Sequence, residues 1–222
     1  MERPRPNFGI NLWMGSTGTS RDLNPDQAEA VLINRPNWEA STDGETQRQL
    51  NLLDMKQFQC CIIQINDANG EPLTNPLIYA LLFNDLTTAN FWVCTGEVND
   101  KDIFHVHAMV QTASRSDSAR RSMYTALTNL SLSEMFRTLF GQSITLECLK
   151  IERTHKPSSM LTYLMKNPLW VLSNRANILQ TCFDIWNLDL AARFRPSEIP
   201  KPPEMNPMTE EIISAIIEGG AK

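Results

Sequence analysis

The sequence lacks the long apolar segments of a membrane protein. None of its 222 residues lies in a run that approaches the ~18–20 uninterrupted apolar residues needed to cross a bilayer. The N-terminal segment 1–6 is not followed by an apolar stretch, so we expect neither a secretory signal nor an association with membranes.

Cysteine is scarce, and its spacing shows no pattern. The five cysteines are odd in number, two of them are adjacent, and none forms a C-x-x-C pair. This disfavours a disulfide framework and a zinc–thiolate site, and it favours reduced thiols in an intracellular compartment. The sequence also lacks a G-x-x-x-x-G-K-[ST] loop and a G-x-S-x-G elbow, which argues against ATP hydrolysis and against a serine hydrolase.

Acidic residues outnumber basic residues in this chain. The chain has 20 Lys and Arg against 25 Asp and Glu, a formal net charge of −5. This excludes a globally basic nucleic-acid coat protein but leaves room for a local basic groove. The hydrophobic fraction of 42% is sufficient for one large domain with a buried core.

Composition divides the chain into three parts. Residues 1–56 are rich in Asn, Pro, Thr and Gly, which predicts a leader that is only partly ordered. Residues 57–195 carry the periodic segments of a folded domain. Residues 196–222 begin with closely spaced prolines and end with a short helix at 209–218, as expected for a linker towards a further module.

Periodicity predicts an α+β fold with a sheet of about five strands. We predict four strands and leave the fifth to residues 8–14 or 169–172. The predicted strands are 58–66, 90–95, 103–110 and 143–152, and the predicted helices are 72–86, 114–127, 131–140, 156–165 and 177–193.

The pair His105 and His107 lies within a predicted strand. Alternation along a strand puts both imidazoles on one face, close enough to share a metal ion, although a bare H-x-H is as often a polar pair on a solvated face. A hairpin would bring Glu97 beside them, with Asp100 and Asp102 as rival ligands from the loop. Two imidazoles and a carboxylate suit Mg²⁺ or Mn²⁺ and leave positions for water or phosphate oxygens.

Tyr163 and Lys166 are three residues apart on a predicted helix, so they share one face. A phenol is a poor nucleophile unless its anion is stabilised, and a lysine with a divalent ion can supply the positive charge. A half-buried aromatic residue and a lone surface lysine are the alternative interpretations. Tyr79 and Tyr124 compete for the role, but neither has a basic residue at i+3 or i+4.

Basic residues cluster near the same segments of the chain. On a protein that is acidic overall, they predict a local surface for a phosphate backbone, although a solvated helix face explains each one singly. The candidate DNA-binding residues are Arg115, Arg120, Arg121, Arg153, His155 and Lys156.

The ordered set Phe104-His105-Val106-His107 and Tyr163-Leu164-Met165-Lys166 resembles the HUH endonuclease superfamily. Within it, residues 57–195 are most similar to the N-terminal nuclease domain of parvovirus large non-structural replication proteins, in a less familiar lineage such as the chaphamaparvoviruses. Parvoviral members often have Y-x-x-x-K, whereas this chain has Y-x-x-K, as in circovirus-type replication proteins.

The resemblance implies a central antiparallel sheet with helices on both faces and an enzyme that nicks a viral replication origin. Glu97, His105 and His107 would hold the metal, and Tyr163, assisted by Lys166, would form a 5′-phosphotyrosine during rolling-circle or rolling-hairpin replication. It further implies duplex origin DNA as a partner, a host nuclear location, and oligomerisation through a helicase module outside this chain. Two alternatives stay open: a non-catalytic nucleic-acid-binding module, and a metal phosphoesterase with water as nucleophile.

Overall fold

The computed structural model describes residues 6–10, 39–86, 91–112, 121, 124–125, 129 and 145–195. In chain order, the elements with defined bounds are β1 (Asn7–Ile10), α1 (Asp43–Asp54), β2 (Phe58–Asn66), α2 (Pro76–Leu86), β3 (Trp92–Val98), β4 (Phe104–Gln111), β5 (Thr145–Arg153), α3 (Pro157–Leu164), β6 (Trp170–Ser173), α4 (Ala176–Asn187) and a 3₁₀ turn at Ala192–Phe194.

The strands form a single sheet in the order β1-β6-β3-β4-β2-β5. β1 runs parallel to β6, and every other neighbouring pair in this sheet is antiparallel. The predicted α+β class with a largely antiparallel sheet is confirmed. Within the described residues the sheet has six strands, because both segments considered for the fifth position, Asn7–Ile10 and Trp170–Ser173, are part of it.

Helices cover both faces of the sheet, as predicted. On one face, α2 packs its buried Tyr79 and Phe83 against strand residues such as Trp92 and Trp170. On the other face, α1, α3 and α4 pack against residues that include Met109. The alternation of side chains along each strand produces the two cores, since successive residues point to opposite faces.

Gly96 in β3 allows a close approach on the α2 face. A Cβ atom at this position would lie 2.3 Å from Cε2 of Trp170. The indole therefore occupies the space that a side chain would fill, and its Nε1 donates a hydrogen bond to the carbonyl of Thr74 at 3.1 Å. This packing holds β6 beside β3. The Trp170 ring lies on the side of the sheet opposite to the one faced by Glu97, the residue after Gly96.

Three predicted boundaries were wrong for identifiable reasons. β3 continues to Val98 rather than ending at residue 95, because pairing with β4 extends along the whole hairpin. α2 begins at Pro76 rather than at residue 72, since Pro72 and Leu73 still pair with β2. α4 ends at Asn187 instead of 193, because Asp189 has a φ of 57°, which a helix does not accommodate.

The predicted leader contributes to this fold. α1 buries Leu50 and Leu53 against the sheet and begins with a cap in which Thr42 accepts a hydrogen bond from the Glu45 amide. At its other end, the carboxylate of Asp54 accepts hydrogen bonds from the backbone amide of Ser158 at 2.8 Å and from its hydroxyl at 2.7 Å. Asp54 thereby caps α3, whose own N-cap side chain makes no such bond.

Several predicted elements fall outside the described part of the chain. Arg121 and Tyr124 are helical and exposed, in line with the helix predicted over 114–127, whereas the segments 131–140 and 209–218 and the Pro-rich linker are not described. Among the helices that are described, none combines the length and apolarity needed to span a bilayer.

Candidate metal centre and tyrosine site

A tight hairpin between β3 and β4 aligns the predicted metal ligands. The side chain of Asn99 accepts hydrogen bonds from the amides of Lys101 and Ile103, which closes the turn after β3. The resulting register places Glu97 directly opposite His105. Glu97 is therefore a strand residue paired with the histidine strand, near the end of β3.

Glu97, His105 and His107 meet on the face of the sheet that packs against α3. Oε1 of Glu97 lies 3.0 Å from Nε2 of His105 and 2.8 Å from Nε2 of His107, and the two Nε2 atoms are 3.0 Å apart. All three residues are buried, so the solvated polar pair that the sequence left open is excluded. Val106 between the histidines points into the opposite core, since successive strand residues alternate between faces.

Hydrogen bonding and burial prepare both imidazoles to bind a metal ion. Nδ1 of His105 donates to the carbonyl of Ile103 at 3.2 Å, which holds the ring with Nε2 directed at the cluster. Burial lowers the pKa of His107 and outweighs the opposing effect of Glu97, so this imidazole stays neutral at neutral pH. Neutral imidazoles are the form that coordinates metals.

Glu97 is ionised although it is 1% exposed. Burial acts to raise its pKa, but the hydrogen bonds from His105 and His107 and the charge of Lys166 outweigh burial, so the pKa lies well below the ordinary value. The ammonium of Lys166 lies 2.6 Å from Oε1 of Glu97. Burial likewise opposes the charge of Lys166, yet the Glu97 carboxylate prevails and raises the pKa of this lysine.

The cluster can hold a metal ion. Glu97, His105 and His107 are the one group of three or more such ligands found in the described residues. Oε2 of Glu97 and Nδ1 of His107 are buried without a hydrogen-bond partner among the residues described. A buried carboxylate oxygen without a partner is costly, and a cation beside it offsets that cost.

Tyr163 lies on the same face of the sheet as the three ligands. α3 begins at Pro157, which suits the first helical turn, and it places the Tyr163 ring edge-on to His107 with ring centroids 5.5 Å apart. Nζ of Lys166 donates to the phenol oxygen at 2.9 Å. One ammonium therefore bridges the phenol of Tyr163 and the carboxylate of Glu97.

The competing tyrosines are less suited to attack a substrate. Tyr79 is fully buried on the opposite face, where its hydroxyl donates to the carbonyl of Leu73 at 2.6 Å and burial raises its pKa. Tyr124 is exposed on its helix. Neither shares a cavity with the metal ligands among the described residues.

A cavity of about 470 Å³, which we call the metal cavity, opens over the cluster. Its lining includes Glu97, His105, His107, Tyr163 and Lys166. Among the lining residues that the sequence did not indicate are Phe194 and Arg195. Phe194 packs its ring edge against Tyr163 with centroids 5.5 Å apart, and Arg195 is ion-paired with Asp189. No local motif marks these residues, because a 3₁₀ turn far along the chain returns them to the site.

The rival and peripheral residues fall outside the cluster. Asp100 lines the rim of the metal cavity, and Asp102 sits in the turn with a φ of 58°; neither joins the metal ligands. Among the candidate DNA-binding residues, Arg153 at the end of β5 and His155 and Lys156 between β5 and α3 are exposed and do not line the metal cavity. Arg121 is exposed on its helix, while Arg115 and Arg120 lie outside the described residues.

Comparisons with known proteins found no relative. No protein-family model matches this chain, no curated protein is significantly similar to it in sequence, and no solved structure is significantly similar to it in fold. The functional argument therefore depends on the chemistry of the site itself.

Proposed function

We propose that this chain is an HUH-type, metal-dependent endonuclease that nicks single-stranded DNA through a covalent tyrosine intermediate. One observation carries the proposal: Tyr163 lies against His107 on the ligand-bearing face, and Lys166 bridges its oxygen to Glu97. A binding module has no need for a buried cluster of metal ligands beside a partly exposed phenol.

The chemistry of the ligands favours Mg²⁺ or Mn²⁺. One carboxylate and two imidazoles suit these ions and would leave coordination positions for water or phosphate oxygens. An ion held by Glu97, His105 and His107 would supply positive charge at the scissile phosphate.

The side chains then carry out a transesterification. The oxygen of Tyr163 attacks phosphorus while the bond from phosphorus to the 3′ oxygen breaks. The phenolic proton passes to solvent, and the departing 3′ oxygen takes up a proton. Lys166 stabilises the phenolate as it forms, because its ammonium already donates to this oxygen. The products are a 5′-phosphotyrosine and a free 3′ hydroxyl.

The wider setting follows from the resemblance to parvoviral replication proteins. We propose that the substrate is a viral replication origin, single-stranded at the nick and duplex at a separate binding surface. The same proposal has the protein act in the host nucleus and oligomerise through a helicase module outside this chain.

The test uses a pool of randomised single-stranded oligonucleotides carrying a 3′ fluorophore, incubated with the protein and Mn²⁺. Attack by Tyr163 leaves the 3′ fragment on the protein, so we expect a fluorescent band at protein mass on a denaturing gel. Tyr163→Phe should abolish this band, and Tyr124→Phe should retain it, because Tyr124 is exposed away from the cavity. A band that persists in Tyr163→Phe would refute the assignment of Tyr163 as the nucleophile.

The same experiment separates the two alternatives. Metal-dependent cleavage without a protein-bound fragment would indicate water as the nucleophile. Salt-sensitive binding without cleavage in Mn²⁺ or Mg²⁺ would indicate a non-catalytic module.

A further inference from the structure

A second cavity, which we call the base cavity, adjoins the metal cavity. It has a volume of about 270 Å³ and lies between α3 and the β2–β5 edge of the sheet. Ile62, His107 and Tyr163 line both cavities and so form the partition between them. The phenol that we assign as nucleophile is thus part of a wall with a cavity on each side.

The walls of the base cavity are apolar and its mouth is charged. Met160 and Tyr163 come from one face of α3, and Cys60 and Ile62 come from β2 below them. Burial raises the pKa of the Cys60 thiol, so this wall stays neutral. A thioether, an aromatic ring and aliphatic groups on opposing walls form a slot suited to a flat, uncharged ring.

The mouth offers a hydrogen-bond donor and an acceptor. On β5, Lys150 pairs in register with Ile62, and Glu152 pairs with Cys60, which places both charged residues along the open edge. Their side chains form an ion pair of 2.9 Å and are each about half exposed. An ammonium and a carboxylate side by side can bond to the polar edge of a nucleobase that enters between them.

We propose that the base cavity binds the nucleobase of the nucleotide immediately 3′ of the nick, the one that stays bonded to Tyr163; this inference rests on the proposed function. In an in-line displacement, the 3′ oxygen leaves on the side of phosphorus opposite the phenol. The nucleotide that stays attached is therefore the one nearest the Tyr163 wall. The volume lies below the ~300–1,000 Å³ of sites for drug-sized ligands, which suits one base rather than a run of nucleotides.

The first experiment measures binding without catalysis. The protein is labelled with ¹³C-methyl methionine and titrated, without metal, with 2′-deoxynucleoside 5′-monophosphates and separately with 2-deoxyribose 5-phosphate. We expect a saturable upfield shift of the Met160 methyl signal, assigned through Met160→Leu, because a stacked base exerts a ring current on it. The methyl of Met55, which is 81% exposed, serves as the control and should not move. An unmoved Met160 signal, or an equal shift with the base-free sugar phosphate, would overturn the proposal.

The second experiment uses the covalent adduct. Oligonucleotides captured from the randomised pool are sequenced and then resynthesised with an abasic site on either side of the nick. An abasic site on the 3′ side should reduce adduct formation by about 5- to 150-fold, the effect of losing one stacked base, and Met160→Ala should weaken the base preference at that position. Equal effects of the two abasic sites would contradict the assignment. A chain that forms no adduct at all refutes the nickase proposal instead, and the methyl titration then decides whether the cavity binds a base.

Discussion

Replacing Glu97 by glutamine removes one negative charge from the centre of the site while keeping the shape of the side chain. In the native protein, Oε1 of Glu97 contacts both imidazoles and lies 2.6 Å from the ammonium of Lys166. The glutamine oxygen still accepts hydrogen bonds, but the lysine loses its ion partner. The lysine side chain is 15% exposed, so water replaces that partner only in part.

The magnitude follows from the environment of this ion pair. Breaking a buried pair by removing one partner costs about 3–5 kcal/mol. Lys166 borders the metal cavity and keeps its bond to Tyr163, so we expect a loss of about 3 kcal/mol, at the lower end of that range. For a chain of this size, each kcal/mol shifts the melting temperature by about 2–4 °C, which gives a decrease of about 6–12 °C.

Urea unfolding with and without Mn²⁺ measures both consequences. At a Mn²⁺ concentration 100 times its dissociation constant, the native protein should gain about 2.7 kcal/mol of stability, and Glu97→Gln should gain nothing at that concentration. Asp100→Asn makes the same chemical change at the rim of the same cavity, so it should behave like the native protein. If Glu97→Gln matched native stability and kept the full Mn²⁺ effect, the assignment of Glu97 as ligand and ion partner would be refuted.

Three further predictions concern pH and packing. Burial lowers the pKa of His107, so the unfolded chain protonates this imidazole at a higher pH than the folded chain does. The free energy of unfolding should therefore fall as the pH decreases through 6.5. Measured by urea unfolding at several pH values, this decrease should be smaller in His107→Gln. Gly96→Ala should cost about 3 kcal/mol or more by forcing the buried Trp170 ring aside, and an unchanged melting temperature would contradict this. Asp54→Ala should cost about 1–2 kcal/mol through the lost cap on α3, with Asp43→Ala as an exposed acidic control in the same melting experiment.

The parts of the site that the sequence predicted are local in the chain. Strand alternation predicted that His105 and His107 lie on one face of the sheet. Glu97 is only eight residues before His105, so a hairpin could be predicted to bring the two together. Their burial could not be predicted from this pattern, because it depends on helices that pack over the same face. The end of β3 was missed because Gly96 resembles a turn residue, whereas it is a strand residue that makes room for Trp170.

The remaining contributions to the site come from distant segments. Asp54 lies 104 residues from Ser158, whose helix α3 it caps. A negative charge at the C-terminal end of α1 is unfavourable for the dipole of α1 itself, so nothing in the local sequence indicates that Asp54 caps another helix. Phe194 reaches Tyr163 through a turn that begins after α4 has ended. Such contacts are set by how the helices pack on the sheet, which hydrophobic periodicity does not specify.

The strand order has a consequence for how the chain is made. Among the described strands β1 is synthesised first, yet the strand that pairs with it there is β6, with Asn7 paired to Trp170. The β3–β4 hairpin, by contrast, joins residues close in sequence and can form as soon as both strands emerge. During synthesis, the three ion ligands can therefore assemble well before Tyr163 is available, and the sheet edge at β6 closes only when almost all of the described chain has been translated.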